Sequence, residues 1–283
     1  MVEGPRDDGG KAGKLNLVVA LAAEAQSLAE CFGLQPVSGK APFRRFRRPD
    51  RAIEMVVSGV GKAASAAAAA TLAAPNRAWL NIGMGGHHSL PLGSLVLAHK
   101  ICDDESGHSW FPPMALDPPC QAACVRTVNE PLRDYPTADV FEMEASGFYE
   151  AASRSSTHEL VHCLKIISDN TISPTCLVSN SRVGRLLAQG RSVIEELVEA
   201  LLDLSSQQME RHRVPPEFEC FTARWHFSQT EKRLLRRLLQ RWASLCPQED
   251  PLATVAGPGA RAQTILAALQ AGLRELELRF DGR

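Results

Sequence analysis

Leu15-Asn16-Leu17-Val18-Val19-Ala20-Leu21-Ala22-Ala23-Glu24 is the stretch that decides the fold class. Residues 15–22 are apolar apart from Asn16, as in a strand covered on both faces. They pass without a polar linker into a helix expected at 23–31. A buried strand feeding directly into a helix is the opening unit of an α/β fold. The same alternation recurs downstream. Residues 53–58 read as a second strand, ending in Ser58-Gly59-Val60-Gly61-Lys62, and an Ala-rich helix follows until Pro75-Asn76 stops it. Residues 79–82 read as a short strand ending in a turn, Gly83-Met84-Gly85-Gly86. Further strands are expected at 94–101, 123–128, 138–141 and 162–167, and helices at 144–153 and 183–204. The stretch 103–119 is Pro-rich and irregular. The pattern predicts a three-layer α/β/α fold with a mostly parallel central sheet, whose ligands bind at the carboxyl edges of the strands.

The 283 residues, 45% of them hydrophobic, accommodate such a domain of about 200 residues plus an appendage. A formal net charge of -1 gives no electrostatic basis for nucleic acid or an anionic membrane as partner. No apolar run reaches the roughly 20 residues of a membrane span. The eight cysteines are scattered, with no CxxC pair, which reads as reduced thiols in the cytoplasm. Residues 1–14 are rich in Gly, Asp and Lys and are expected to be a disordered leader. Lys11 and Lys14 before the apolar run imitate a signal peptide, but Asp7 and Asp8 make the leader acidic. The domain is expected to span 15–204. Beyond it, 205–283 reads as a helical extension in which Leu234, Leu235, Leu238, Leu239, Trp242 and Leu245 share one helix face. Arg233, Arg236, Arg237 and Arg241 lie mostly opposite. The stripe is expected to pack on the core or a second subunit, with the arginines solvated.

Two glycine signals carry no cofactor. Gly83-x-Gly85-x-x-His88 lacks the third glycine of a dinucleotide fingerprint, and Gly61-Lys62 lacks the upstream glycine and the Ser/Thr of a P-loop. His87-His88 has no carboxylate at ligand spacing, so no metal is expected. The informative feature is an ordered set of segments: Ala20–Glu24, Ser58–Lys62, Asn81-Ile82-Gly83-Met84-Gly85-Gly86, Phe141-Glu142-Met143-Glu144-Ala145 and Lys165-Ile166-Ile167-Ser168-Asp169.

Together these segments resemble the nucleoside phosphorylase and nucleosidase superfamily, and within it the methylthioadenosine/S-adenosylhomocysteine nucleosidase branch, over about two thirds of the chain. The resemblance implies a cofactor-free enzyme that breaks the N-glycosidic bond of a purine-type nucleoside, in a homodimer or larger homo-oligomer. It implies that Asp169 assists the leaving base at N7 and that Glu24 activates water. Glu144 would accept hydrogen bonds from the ribose 2′- and 3′-hydroxyls, and Met143 would lie against the sugar. Gly83, Gly85 and Gly86 would bring backbone N–H groups to the nucleophile side, and Ser168 is counted with the substrate-binding set. Each residue also has a plainer reading: a helix-start carboxylate for Glu24 and Glu144, a turn aspartate for Asp169, a core filler for Met143. Two departures bear on activity. Met84 replaces the family's usual hydroxyl, and Lys165 stands where the nucleosidase branch has arginine, keeping charge but losing the bidentate fork. Asn81 stands where the family's phosphorylases have arginine. Trp110 and Phe111 are the candidates for an aromatic that stacks on the base. A nucleoside-binding protein without turnover, and a scaffold acting through 205–283, are the competing readings.

Overall fold

The opening run forms strand β1 (Leu15–Val19), with all five side chains buried. Leu15, Leu17 and Val19 pack on one side of the sheet and Val18 on the other, so the strand is apolar on both faces. Asn16, its polar residue, donates from Nδ2 to the Leu72 carbonyl at 3.0 Å. The computed structural model describes residues 13–132, 134–174, 179–255 and 259–281. Most of the expected leader, residues 1–12, lies outside the described residues.

After β1 come α1 (Ala22–Phe32), β2 (Gln35–Pro36), β3 (Arg44–Arg47), β4 (Ile53–Val57), α2 (Lys62–Ala70) and β5 (Ala78–His87). Then follow β6 (Leu95–Asp103), β7 (Ser109–Trp110), β8 (Gln121–Thr127), β9 (Val140–Glu142), α3 (Ala145–Ala152), β10 (Val161–Asn170), α4 (Asn180–Gln189) and α5 (Arg191–Arg211). Ala25 and Leu28 of α1, Val183 of α4 and Leu197 of α5 share one apolar cluster with β1. Ala68 of α2 and Phe148 and Tyr149 of α3 join the other. The sheet is therefore sandwiched between two helical layers. Each fully buried Leu or Val contributes about 1.5–3 kcal/mol relative to exposure.

The sheet is mixed, not mostly parallel. β1 pairs in parallel with β4 and β5, β5 with β10, and β8 with both β6 and β9. Antiparallel pairs join β2–β3, β3–β4, β5–β9, β6–β7 and β6–β10. Connection length explains two reversals. A parallel return needs a crossover of about a dozen residues or more, and the links 48–52 and 88–94 are too short to supply one. Because β10 pairs with both β5 and β6, five strands close into a ring, β5–β10–β6–β8–β9, whose last seam is the single pair Gly86↔Phe141.

Other expectations also need correction. Gly83–Gly86 is not a turn: β5 runs through it to His87. The helix expected at 183–204 is two helices. Gly190 separates them, where a Cβ would come 3.0 Å from the Leu95 side chain. The hairpin β2–β3 was not among the expected strands. Its Arg45 and Arg47 pair with Glu54 of β4, at 2.8 and 3.3 Å.

Met209–Arg283 forms a separate compact unit. Its helices α6 (Glu217–Arg224), α7 (Gln229–Leu245) and α8 (Ala262–Asp281) surround Phe221, Leu235, Leu239, Trp242, Ile265 and Leu269. The α7 stripe is thus buried within this unit, against its own neighbouring helices. On the other face Arg236 lies over the Phe218 ring, 5.3 Å from its centroid.

Candidate active site

The carboxylate of Glu24, in the first turn of α1, is buried. Its Oε2 accepts the backbone N–H groups of Ala20 at 3.0 Å and Leu21 at 2.9 Å. These are donors that a helix start leaves without partners. Its Oε1 reaches across to β5 and accepts the Met84 N–H at 3.3 Å. Burial pushes this carboxyl up from 4.5 to about 7, against the pull of the Leu21 hydrogen bond and the Lys165 charge. Nearby Glu144 pushes in the same direction as burial.

Gly83 is where the two charges meet. A Cβ there would lie 3.4 Å from Lys165 Nζ and 3.5 Å from Glu24 Oε1, at ordinary contact distance, so side chains larger than alanine would crowd the two groups. The glycines of β5 serve close approach, not a turn. At Gly85 a Cβ would press on Val140 Cγ1, and at Gly86 it would collide with the Tyr135 ring and hydroxyl.

Lys165, in the middle of β10, is fully buried and forms an ion pair with Glu142 at 2.7 Å, also fully buried. Burial works to discharge the ammonium, but Glu142 and Glu144 more than offset it and hold Lys165 strongly protonated. Glu142 ends β9 and caps α3. It accepts the N–H groups of Glu144 at 2.9 Å and Ala145 at 2.8 Å, and the Thr127 hydroxyl at 2.6 Å. Glu144 begins α3 and accepts the Gly61 N–H at 2.9 Å. Gly61 has φ of 107°, a conformation that suits glycine. Burial, then the neighbouring Glu142, raise the Glu144 carboxyl above its ordinary value, partly opposed by Lys165.

Asp169 lies within β10, one residue past a bulge: Ile167 pairs with Gly85, Asp169 with Gly86, and Ser168 is the extra residue. Bulges re-aim side chains, and this one carries Asp169 to the cleft. Its Oδ1 accepts the Ser168 hydroxyl at 2.6 Å, and its Oδ2 accepts the hydroxyl of Tyr135. The guanidinium of Arg182 donates to the Ser168 carbonyl at 2.7 Å.

These groups face a cleft of about 160 Å³ that is open to solvent. Glu24, Met84, Gly85, Gly86, Met143, Glu144, Ser168 and Asp169 line it. Gly83 and Lys165 do not; they are buried beside the Glu24 carboxylate. Val60, Glu142, Leu132, Tyr135 and Phe141 also contribute walls. Neither aromatic expected from sequence is there. Trp110 packs against the core, and Phe111 is 66% exposed under Lys100. Asn81 is also away from the cleft, donating to the Val18 carbonyl at 3.0 Å. His87 has both ring nitrogens engaged: Nδ1 accepts the N–H groups of Ser89 and Leu90, and Nε2 lies 3.2 Å from the Ala138 carbonyl.

Sequence reasoning missed the two polar wall residues Glu142 and Tyr135. Glu142 stood in plain view two residues before Glu144, and an acid preceding a helix start was the available signal. Tyr135 gave no signal, standing between Asp134 and Pro136 in a loop.

No protein-family model matches the sequence, and no curated protein does. Solved structures do. The Campylobacter jejuni 5′-methylthioadenosine/S-adenosylhomocysteine nucleosidase matches with a TM-score of 0.54 at 16% identity, covering 66% of this chain and 99% of that one. The Arabidopsis thaliana 5′-methylthioadenosine nucleosidase gives 0.55 at 17% identity, covering 69% and 99%. The Helicobacter pylori futalosine hydrolase gives 0.53 at 13%, covering 66% and 98%. At these identities the likeness is one of fold, and over about two thirds of its length the chain has the fold of the nucleoside phosphorylase and nucleosidase superfamily.

Proposed function

We propose that this protein is an N-ribosyl hydrolase that cleaves the N-glycosidic bond of a purine-type nucleoside. The observation that carries this reading is the buried Glu24 carboxyl, poised near pH 7, facing one cleft with Glu144 and Asp169. A general base works best when its pKa lies near the working pH. Glu24 removes a proton from water at the sugar's anomeric carbon. Glu144 accepts the ribose hydroxyls, and Asp169 donates to or hydrogen-bonds the departing base. Met84 and Met143 supply apolar walls to the sugar. The positive charge that develops on the sugar ring is stabilised by the surrounding carboxylates.

The charge distribution favours water over phosphate. Glu24, Glu142 and Glu144 all border the cleft, and each repels a dianion once ionised. Lys165 is committed to Glu142, and no arginine lines the cleft among the described residues. Incubation with a panel of purine nucleosides, with and without phosphate, tests the proposal by chromatography of free base. Phosphate-independent base release is expected. Strict dependence on phosphate, with a sugar 1-phosphate as product, would reverse the choice of nucleophile.

One observation favours the second reading, a nucleoside-binding protein without turnover. Both Asp169 oxygens already accept hydroxyl hydrogen bonds from within the protein. Saturable nucleoside binding with no base released would select it.

A further inference from the structure

Tyr135 lies in the 128–139 connection between β8 and β9, and among its described residues from 129 to 138 it alone is buried. Its flanks, Asp134 and Pro136, are exposed. The ring packs against Phe141, 5.7 Å between centroids, and shares a small apolar cluster with Val128. Apolar packing accounts for the ring but not for its polar end. The hydroxyl crosses to β10 and donates to Asp169 Oδ2. Room for it exists because residue 86 has no side chain: a Cβ on Gly86 would collide with the ring edge and the hydroxyl. A phenol, a glycine opposite it and a bulge-directed carboxylate therefore form one arrangement drawn from three separate segments.

On the proposed reading, Asp169 is the group that meets the leaving base. The position from which a donor reaches Oδ2 is then the position of the base, and Tyr135 holds it. We infer that Tyr135 is an internal occupant of the base subsite, and that a purine binds by exchanging its own polar edge for the Tyr135 hydroxyl on Asp169. The sugar end needs no such exchange, because Glu24, Glu144 and Met143 face the open cleft. Base recognition is thereby coupled to displacement of the 128–139 connection. The exchange conserves hydrogen bonds at Asp169 but not at Tyr135, whose hydroxyl passes to solvent. The displaced segment has mostly exposed residues, the low-stability kind from which moving loops are drawn.

The chain has only two tyrosines, which makes the exchange directly observable. Tyr149, the other, is buried, with its hydroxyl 3.1 Å from His158 Nδ1. Full-length protein carrying 3-fluorotyrosine gives two ¹⁹F resonances, assigned with Tyr135→Phe. Adenine, hypoxanthine and guanine are titrated in turn, and affinities are measured by calorimetry on wild type and Tyr135→Phe. The expected result is that a bound purine moves the Tyr135 resonance and leaves that of Tyr149 in place. Tyr135→Phe should bind the same purine roughly 3- to 10-fold more tightly, since one competing hydrogen bond is gone. Purine binding with an unmoved Tyr135 resonance would overturn the exchange and leave the nucleosidase reading standing, as would equal or weaker binding by Tyr135→Phe. If neither protein binds any of the three bases, the inference falls together with the functional reading beneath it.

Discussion

Glu24 gives the sharpest test, because one titration should appear with opposite signs in activity and in stability. Its carboxyl is raised from 4.5 to about 7, mainly by burial. As a general base it must be ionised. Roughly a tenth is ionised at pH 6 and roughly nine tenths at pH 8, so kcat/KM should rise about tenfold across that interval. Stability should move the other way. Between 4.5 and about 7 the unfolded chain has released this proton while the folded chain still holds it. Folding therefore loses about 3 kcal/mol as pH rises through that window, and nothing more above it. Urea titrations at intervals from pH 4.5 to 8, on wild type and Glu24→Gln, isolate the contribution as a difference in slope. The absolute stability of Glu24→Gln is a poorer readout, because the new amide faces the N–H groups of Ala20 and Leu21. Two neighbours refine the test. Removing the Lys165 charge should move the kinetic inflection upward, and Glu144→Gln should move it downward. A rate flat from pH 6 to 8, together with equal stability slopes in the two proteins, would refute the reasoning.

Three further outcomes are expected. Asp169→Asn should lower kcat by about 10²-fold or more with little change in nucleoside affinity; near-normal turnover in the folded variant ends its assignment to the leaving group. Glu144→Gln should weaken riboside binding by about 1–3 kcal/mol and 2′-deoxyriboside binding by less, and calorimetry showing equal losses would mean that Glu144 does not read the 2′-hydroxyl. Lys165→Met should destabilise the fold by about 3–5 kcal/mol, since Glu142 is left buried without its partner; a denaturation midpoint close to wild type would show that Glu142 relaxes or takes up a proton at little cost.

How much of this was legible depends on whether the deciding contact was local. The run 15–22 and the helix after it follow from apolarity alone, and they fix where Glu24 stands. Met143 and Glu144 were singled out through the resemblance that their segment carries, and both line the cleft. The strand identity of Gly83–Gly86 was not. Four residues with three glycines look like punctuation, and the reason for them lies in Lys165, Val140 and Tyr135, remote in sequence. The same holds for β3, where arginines are admitted to a strand because Glu54 on β4 pairs with them. The mixed sheet was hidden in part by connection length: 48–52 and 88–94 are short enough to force reversals, a signal that hydrophobic periodicity does not report. Tyr135 was illegible for a different reason. Nothing in Asp134-Tyr135-Pro136 distinguishes a buried tyrosine from a loop residue in solvent.

The closed strand ring has a consequence for how this protein could diverge. Asp169 is on the ring itself, Glu144 follows β9 by two residues, and Glu24 is tied to β5 through the Met84 N–H. A substitution that shifts one ring strand therefore shifts all three carboxylates relative to one another, which constrains them as a set. The 128–139 connection lies outside the strands, anchored near its end by Asp139 to Arg126 at 2.7 Å and by His87 to the Ala138 carbonyl. Changes in its length or composition alter the wall opposite Asp169, and the donor to its Oδ2, while leaving Glu24 and Glu144 in place. On the proposed reading, the preference for one base over another is the property free to drift, while the handling of ribose and water is inherited intact.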